Sequence, residues 1–357
     1  MHSHSADPLD ALAAHPLYQL STAGQELFHT NMLYWLITQH LDAAAVPILA
    51  ALGLPPTEKK GAVSVVREWR HFDLFVDSGD KQVVLENKLH AFPDRDQLEK
   101  YRADLAPKYQ SDTVRFVLLS MIEPIFTMPD PWVQIDYASL IDPIKTAAEL
   151  IDTAESFDRA LVGEYADLLS LLVKFRDGLR AATTPDQPVL LDKDSRSHYQ
   201  QGRVLPLVER YRITALVNHI QNCFGEVKEI GTGLTNTHGV AGYFVRNAAG
   251  HDIGWQYQDG KLRLAIQLDA ANKDQWRGKT AEKKSRANQI AANTFRTVEV
   301  QSIVSGLTAY TGKLDWLSYE PNFLYTYRSV SASTTYNDLV QICVELIRYL
   351  DENVAGK

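Results

Sequence analysis

Residues 72–88 read FDLFVDSGDKQVVLENK. Two apolar runs flank a compact Asp-Ser-Gly-Asp turn, a pattern that predicts a β-hairpin. Successive side chains of a strand alternate between its two faces, so Glu86 and Lys88 project from one face, about 6.6 Å apart along the strand. Asn87 points the other way. Asp73 lies on the neighbouring strand and is expected to reach the same place as Glu86.

The acidic side chains of this hairpin suggest a metal site. Two carboxylates that converge within apolar strands are costly to bury unless something compensates their charge. A hard divalent cation such as Mg²⁺ or Mn²⁺ does so with oxygen ligands. Asp73 and Glu86 are therefore candidate ligands, and Lys88 is a candidate for orienting water or stabilising charge on a phosphate. The alternative is a solvated Glu-Lys pair on a surface strand, which the apolar residues before Glu86 disfavour.

The elements around the hairpin follow from hydrophobic periodicity and turn residues. Residues 24–40 are predicted to form a helix with Glu26 in its first turn and Ser21 or Thr22 as its cap. The remaining elements of the first half are a strand at 62–69, a helix at 94–105, strands at 114–120 and 132–137, and helices at 138–150 and 157–179. The order up to residue 137 is helix, three strands, helix, strand, strand.

The order and spacing of these residues resemble a known family. Asp73, twelve intervening residues and then Glu86-Asn87-Lys88 are similar to the signature of the PD-(D/E)XK nuclease superfamily. Gln97 and Tyr101 match the Q-x-x-x-Y helix motif of its RecB-like members. Here the proline of the family's name is absent, because Asp73 follows Arg-His-Phe. The resemblance covers about the first 150 residues.

The resemblance implies an α/β chain with an N-terminal αβββαβ restriction-endonuclease-like core. It implies a nuclease that hydrolyses phosphodiester bonds with Mg²⁺ or Mn²⁺, most often in DNA, and a place in bacterial restriction, repair or anti-phage defence. Asp73, Glu86, Lys88, Gln97 and Tyr101 would be its catalytic residues. RNA as the substrate stays open, as does a catalytically silent binding or assembly protein, although the intact Asp73, Glu86 and Lys88 set disfavours the latter.

Three of these residues also have simpler interpretations. The resemblance makes Glu26 a third metal ligand beside Asp73 and Glu86, but an acid in the first turn of a helix also interacts favourably with the helix dipole. Gln97 and Tyr101 lie four residues apart on one helix face, so both could address the site. They could equally be an ordinary surface residue and an ordinary core residue.

The second half of the chain is predicted to form a separate α+β domain. Residues 181–197 have the composition of a linker, which divides a nuclease domain at 1–182 from an accessory domain at 183–357, for substrate recognition or homo-oligomer contacts. Its predicted elements are helices at 199–224, 280–294 and 337–353 and strands at 227–230, 240–246, 253–257, 262–268 and 323–327.

A basic cluster stands out in this second half. Its members are Arg277, Lys279, Lys283, Lys284 and Arg286. The last four are candidate nucleic-acid-binding residues that would contact phosphates from one broad helix face. The alternative is a solvated helix surface.

Composition excludes several other classes of protein. The 357 residues carry a net charge of −8, so nucleic acid would be met along a local groove and not by a basic coat. The two cysteines lie far apart and form no zinc or redox pair. No phosphate-binding loop and no H-E-x-x-H motif are present. With no basic, apolar leader and no membrane-length apolar stretch, a cytoplasmic protein without membrane contact is expected.

Overall fold

The computed structural model describes residues 7–20, 26–41, 44–54, 63–105, 113–309, 316–319 and 321–356. The chain divides into two compact units. Unit 1 comprises Met1–Leu179 and Tyr199–Leu207, and unit 2 comprises Arg180–His198 and Val208–Lys357. No helix among the described residues is long and apolar enough to cross a membrane.

Unit 1 is built on a mixed sheet with helices around it. Its helices are α1 (Pro8–Ala14), α2 (Pro16–Leu20), α3 (Glu26–Gln39), α4 (Ala45–Ala51), α5 (Arg95–Leu105), α6 (Ala138–Leu150) and α7 (Ser156–Ala181). Its strands are β1 (Ser64–Trp69), β2 (Phe72–Asp77), β3 (Gln82–Lys88), β4 (Val114–Ser120) and β5 (Trp132–Asp136). The strands lie in the order β1-β2-β3-β4-β5. The predicted αβββαβ order is confirmed.

The pairing of these strands sets the position of the hairpin. β1, β2 and β3 are antiparallel neighbours, whereas β3, β4 and β5 run parallel to one another. β3 is therefore central, and all its residues up to Asn87 are buried. Parallel strands are usually covered on both faces, and charged side chains on such a strand need a specific partner.

The two faces of this sheet are covered by different helices. On one face, Leu98, Tyr101 and Leu105 of α5 join a cluster of buried residues from β2, β3, β4 and β5. α3 contacts β1, β2 and β3. The alternation of Glu86, Asn87 and Lys88 thus divides these polar residues between an α5 side and an α3 side.

Unit 2 contains a second, antiparallel sheet. Its strands are β6 (Gly231–Thr235), β7 (His238–Arg246), β8 (Asp252–Gln258), β9 (Lys261–Gln267), β10 (Thr308–Ala309), β11 (Leu317–Tyr319) and β12 (Phe323–Ser329). They lie in the order β10-β12-β9-β8-β7-β6, and β11 also pairs with β12. The helices of this part of the chain are α8 (Lys193–Gln201), α9 (Leu205–Gln221), α10 (Thr280–Ala292), α11 (Val298–Ile303) and α12 (Tyr336–Asn353).

Some boundaries in the second half differ from the sequence prediction. The helix predicted at 199–224 is two helices, α8 and α9, and the break between them contains Arg203 in a left-handed conformation (φ 59°). No strand forms at 227–230, and β6 begins at Gly231 instead. α8 begins within the predicted linker. The predicted helix caps Ser21 and Thr22 lie outside the described residues.

Candidate active site

Asp73 and Glu86 meet where the β2–β3 ladder ends. The last paired residues at this end are Leu74 and Leu85. Beyond this pair, the same register places Asp73 opposite Glu86. Their side chains therefore lie on one face of the sheet. The backbone N–H of Asn87 donates to Asp73 Oδ2 at 2.7 Å, which fixes the carboxylate of Asp73 against β3.

Glu86 is the most deeply buried acid of the set. It is 2% exposed, and its Oε1 lies 2.8 Å from Nζ of Lys88. Its other oxygen, Oε2, is buried and has no hydrogen-bond partner among the described residues. Burial and the nearby charge of Asp73 raise the pKa of Glu86 to about 7, against the opposing effect of Lys88. Charge on Glu86 is therefore under-compensated by the protein alone.

The pKa values of the neighbouring groups show the same imbalance. Burial raises the pKa of Asp73, although the Asn87 N–H and Lys88 oppose the shift. Burial alone would lower the pKa of Lys88, but the adjacent carboxylate of Glu86 outweighs it and the pKa rises. Lys88 is thus held as a cation, and two carboxylates share one lysine.

Glu26 faces the same charges from the start of α3. Its Oε1 accepts hydrogen bonds from the backbone N–H groups of His90 and Ala91, at 3.2 and 2.7 Å. These bonds connect α3 to the segment that follows β3. The charge of Glu26 also contributes to raising the pKa values of both Asp73 and Glu86, so the three acids act on one another. The structure therefore brings the three predicted metal ligands into one electrostatic environment.

Gln97 and Tyr101 connect α5 to this site through hydrogen bonds. Nε2 of Gln97 donates to the Tyr101 hydroxyl at 2.7 Å, and that hydroxyl donates to the carbonyl of His71 at 2.9 Å. The ring of Tyr101 packs edge-to-face on Phe72, with centroids 4.8 Å apart. Burial raises the pKa of Tyr101, and the charge of Glu86 adds to the shift. The hydrogen bonds of Gln97 and Tyr101 thus stabilise the backbone just before Asp73.

Asn87 is a buried residue of the site to which sequence reasoning gave no role. Its Nδ2 donates to the Glu26 carbonyl at 2.9 Å and to the Thr30 hydroxyl at 3.0 Å. Its Oδ1 accepts from the Tyr137 hydroxyl. The alternation of the strand indicates the side to which Asn87 points, but these partners are distant in sequence. Asn87 anchors β3 to the start of α3.

A separate acidic cluster in unit 1 involves none of the predicted ligands. It consists of His40, Glu155 and Asp158. The imidazole of His40 places Nδ1 3.4 Å from Glu155 and Nε2 3.1 Å from Asp158. Each ring nitrogen of His40 thus faces a different carboxylate, and the cluster shares no residue with the hairpin site.

The basic cluster of unit 2 does not form the single exposed face predicted from its spacing. Lys283 is 0% exposed, and its Nζ donates to the carbonyl of Pro321 at 3.1 Å. Lys279 and Arg277 are exposed, whereas Lys284 and Arg286 are partly buried. Lys283 therefore faces inward with Ala287 and Ala291 of α10, because its position on the helix overrides the preference of its charge for solvent.

The described residues fit a divalent cation at the hairpin site. A buried carboxylate oxygen without a partner, beside two further acids, is a hard oxygen donor set of the kind that Mg²⁺ and Mn²⁺ bind. PD-(D/E)XK nucleases, which the sequence resembles, generally depend on divalent metals.

Comparison with known proteins agrees with this geometry. Residues 16–167 match the model of the PD-(D/E)XK nuclease superfamily, a range that includes Glu26, the hairpin and α5. No curated protein and no solved structure matched the chain. Residues 16–167 of this chain are therefore similar to the PD-(D/E)XK nuclease superfamily.

Proposed function

We propose that the protein is a metal-dependent nuclease that hydrolyses phosphodiester bonds in DNA. The observation that carries the proposal is the buried Oε2 of Glu86, which lies near a second carboxylate and has no hydrogen-bond partner in the described part of the chain. A scaffold gains nothing from this arrangement, since under-compensated buried charge costs stability. A cation-binding catalytic site explains it.

The side chains of the site have distinct roles in this proposal. Asp73, Glu86 and Glu26 would hold a divalent cation, which when bound would supply polarisation of the scissile phosphate and activation of water. Lys88 remains protonated, since its pKa is raised, and so donates to a phosphate oxygen or the attacking water instead of accepting a proton. Gln97 and Tyr101 hold the backbone next to Asp73 in place.

The wider assignment extends this proposal to the whole chain. Residues 1–182 cut, and residues 183–357 contribute substrate recognition or contacts between copies. The cytoplasm suits both free cysteines, Cys223 and Cys343. A place in anti-phage defence or repair is an analogy with the superfamily, and it is tested by comparing phage plating on bacteria that express the wild type or Glu86→Gln.

The direct test is a cleavage assay with purified protein. Circular and linear duplex DNA, single-stranded DNA and RNA are incubated with Mg²⁺, Mn²⁺ or EDTA. Metal-dependent cutting of DNA is expected from the wild type and from Glu149→Gln, which removes an exposed acid at the end of α6. Glu86→Gln should be inactive. Cutting of circular DNA identifies an endonuclease.

Three results would contradict the proposal. The absence of cutting of every substrate with either metal would remove the nuclease assignment. Cleavage of RNA alone would replace DNA as the substrate. Wild-type rates from a folded Glu86→Gln protein would move the site elsewhere.

A further inference from the structure

One face of the sheet in unit 2 carries a row of partly exposed aromatic side chains. Phe323, Tyr325 and Tyr327 alternate along β12 and are all partly exposed. β11 extends the row, because Tyr319 pairs with Phe323 and Leu317 pairs with Tyr325. Directly opposed residues of antiparallel strands point to the same side. Tyr319 is 72% exposed and Leu317 40%, so this face presents aromatic surface to solvent.

Cations stand beside these rings on the next strand. β9 places Arg263 opposite Tyr327 and Lys261 opposite Ser329. The guanidinium of Arg263 lies 4.6 Å from the ring centroid of Tyr325, and Nζ of Lys261 lies 5.4 Å from that of Tyr327. The buried Nε of Arg263 has no hydrogen-bond partner among the described residues.

A further ring and a polar side chain lie next to these rings. Ala265 of β9 pairs with Tyr325 and with Gly254 of β8, and Gly254 pairs in turn with Phe244 of β7. The Phe244 ring lies over Gly254 and has its centroid 6.2 Å from that of Phe323. Gln256 lies one row away, and its Oε1 accepts from Arg263 at 2.6 Å. We define the aromatic face as Tyr319, Phe323, Tyr325, Tyr327, Lys261 and Arg263.

Among the residues that the structure describes, three cations (Lys261, Arg263 and Arg246) and two acids (Asp252 and Asp259) lie on or beside the aromatic face. Asp259 lies 3.9 Å from Lys261 and is also paired with His238 at 3.1 Å. Asp252, on the same side of the sheet, is neutralised by Arg246 at 2.7 and 2.9 Å. In a chain of net charge −8, a local excess of cations around exposed rings indicates an anionic, planar ligand.

We propose that the aromatic face binds single-stranded nucleic acid, with bases stacked on Tyr325 and Tyr327 and phosphates beside Lys261 and Arg263. Exposed rings stack on bases of any sequence, and neighbouring cations follow the phosphate backbone. A single strand exposes the faces of its bases, whereas a duplex hides them in its own stack. Gln256 can donate to base edges beside the rings. This site lies in unit 2 and goes beyond the proposed function, since binding there does not require cleavage.

The test is a titration of labelled single-stranded DNA and RNA, with duplex DNA as a comparison, read by fluorescence anisotropy. All proteins carry Glu86→Gln, and EDTA is present, so the strands stay intact. A variant that combines Tyr325→Leu with Tyr327→Leu keeps the apolar bulk and removes both rings. This pair should weaken single-strand binding at least about tenfold, because one stacked base is worth roughly 1–3 kcal/mol. Duplex affinity should not change.

The role of the two cations is tested with a double variant, Lys261→Gln with Arg263→Gln. The matched control is a second double variant, Lys193→Gln with Lys273→Gln. Lys193 and Lys273 are exposed and lie outside the aromatic face, so the control removes equal charge. Only the first pair should lower the salt dependence of single-strand binding, by about 0.7 per lost phosphate contact. Circular dichroism and urea unfolding confirm that each variant is folded.

Two outcomes would overturn the proposal. One is an undiminished single-strand affinity in folded Tyr325→Leu, Tyr327→Leu protein, or no single-strand binding by its parent. The other is a loss of self-association in that variant, seen by sedimentation without any change in nucleic-acid affinity, which would identify a protein interface. Because cleavage is blocked throughout, neither outcome depends on whether the site at Glu86 cuts DNA.

Discussion

Lys88 is the residue whose charge state decides its part in the chemistry. Its Nζ lies 2.8 Å from Glu86 Oε1, and the carboxylates around it keep it protonated. A protonated lysine supports a transition state by donating to developing negative charge and cannot serve as a general base.

We therefore expect Lys88→Ala to lower kcat for DNA cleavage by about 10²–10³-fold, the usual effect of removing one electrostatic donor from a preorganised site. Binding of DNA in EDTA should change little. Lys81→Ala is the control, since Lys81 is an exposed lysine in the turn of the same hairpin. A folded Lys88→Ala protein with the kcat of the Lys81→Ala control would remove Lys88 from the catalytic set.

The raised pKa of Glu86 predicts how stability depends on pH without metal. Its folded-state pKa is about 7 against an ordinary value of 4.5, so between these values the folded state holds a proton that the unfolded state has lost. The free energy of unfolding in EDTA should fall as pH rises through this window. Asp73 contributes with the same sign, because its pKa is also raised.

In Glu86→Gln, the free energy of unfolding in EDTA should fall less as pH rises. Urea unfolding across the same pH window would measure this. Saturating Mg²⁺ should reverse the trend in the wild type, since a cation binds the ionised carboxylate and its stabilising effect grows with pH. Equal slopes for wild type and Glu86→Gln in EDTA would mean that Glu86 does not titrate in this window.

At the scale of the elements, β3 is held to α3 by one buried amide. Asn87 connects the Glu26 carbonyl, the Thr30 hydroxyl and the Tyr137 hydroxyl. This fixes the start of α3, where Glu26 lies, relative to the strand that carries Glu86. Asn87 thus positions Glu26 relative to Glu86 although its side chain lies on the opposite face of the sheet from Asp73 and Glu86.

Asn87→Ala should lower the free energy of unfolding by about 1–3 kcal/mol, because it leaves the buried hydroxyl of Tyr137 without an acceptor. In a double-mutant cycle with Tyr137→Phe, the double variant should lose less than the sum of the two single changes, since no hydroxyl is then left unpaired. Urea unfolding of the four proteins gives the coupling. Strict additivity would show that the bond between Asn87 and Tyr137 contributes nothing.

The elements also show which parts of the structure the sequence could predict. The β2–β3 hairpin was predictable because its turn and its apolar alternation are local signals. The parallel pairing of β3 with β4 joins residues far apart in the chain, and no local pattern specifies it. The family motif indicated Asp73, Glu86 and Lys88, but the partners of Asn87 lie 50 to 61 residues away. Periodicity placed Lys283 on a basic face without showing that this position of α10 is buried.

At the scale of the whole molecule, the chain combines two compact units of different character. Unit 1 has a mixed sheet with the buried acid Glu86 at its centre, and unit 2 has an antiparallel sheet with partly exposed rings on one face. Because the net charge is −8, the proposed attraction to nucleic acid would come from local groups, namely a divalent cation held at Glu86 and the cations of the aromatic face. The proposed division into cutting and recognition follows from this difference.

The two units should respond separately to the metal ion, and calorimetry can test this. A chain of two compact units is not expected to unfold in one two-state step, and a ligand that binds only the native form of one unit stabilises that unit by mass action. We expect Mg²⁺ to raise the unfolding temperature of unit 1 and to leave the unfolding temperature of unit 2 unchanged. Asp73→Asn should remove most of the Mg²⁺ shift.

Lys283→Ala identifies the unfolding transition of unit 2. It is the counterpart in unit 2 of Asp73→Asn in unit 1. It deletes a buried side chain whose Nζ donates to the Pro321 carbonyl, so the transition of unit 2 should move to lower temperature while the Mg²⁺ shift of unit 1 persists. Lys279→Ala, which removes an exposed charge next to α10, should move neither transition. If Mg²⁺ shifted the transition that Lys283→Ala lowers, or if Asp73→Asn kept the full Mg²⁺ shift, the cation would bind away from the hairpin. Its assignment to Asp73, Glu86 and Glu26 would then be wrong.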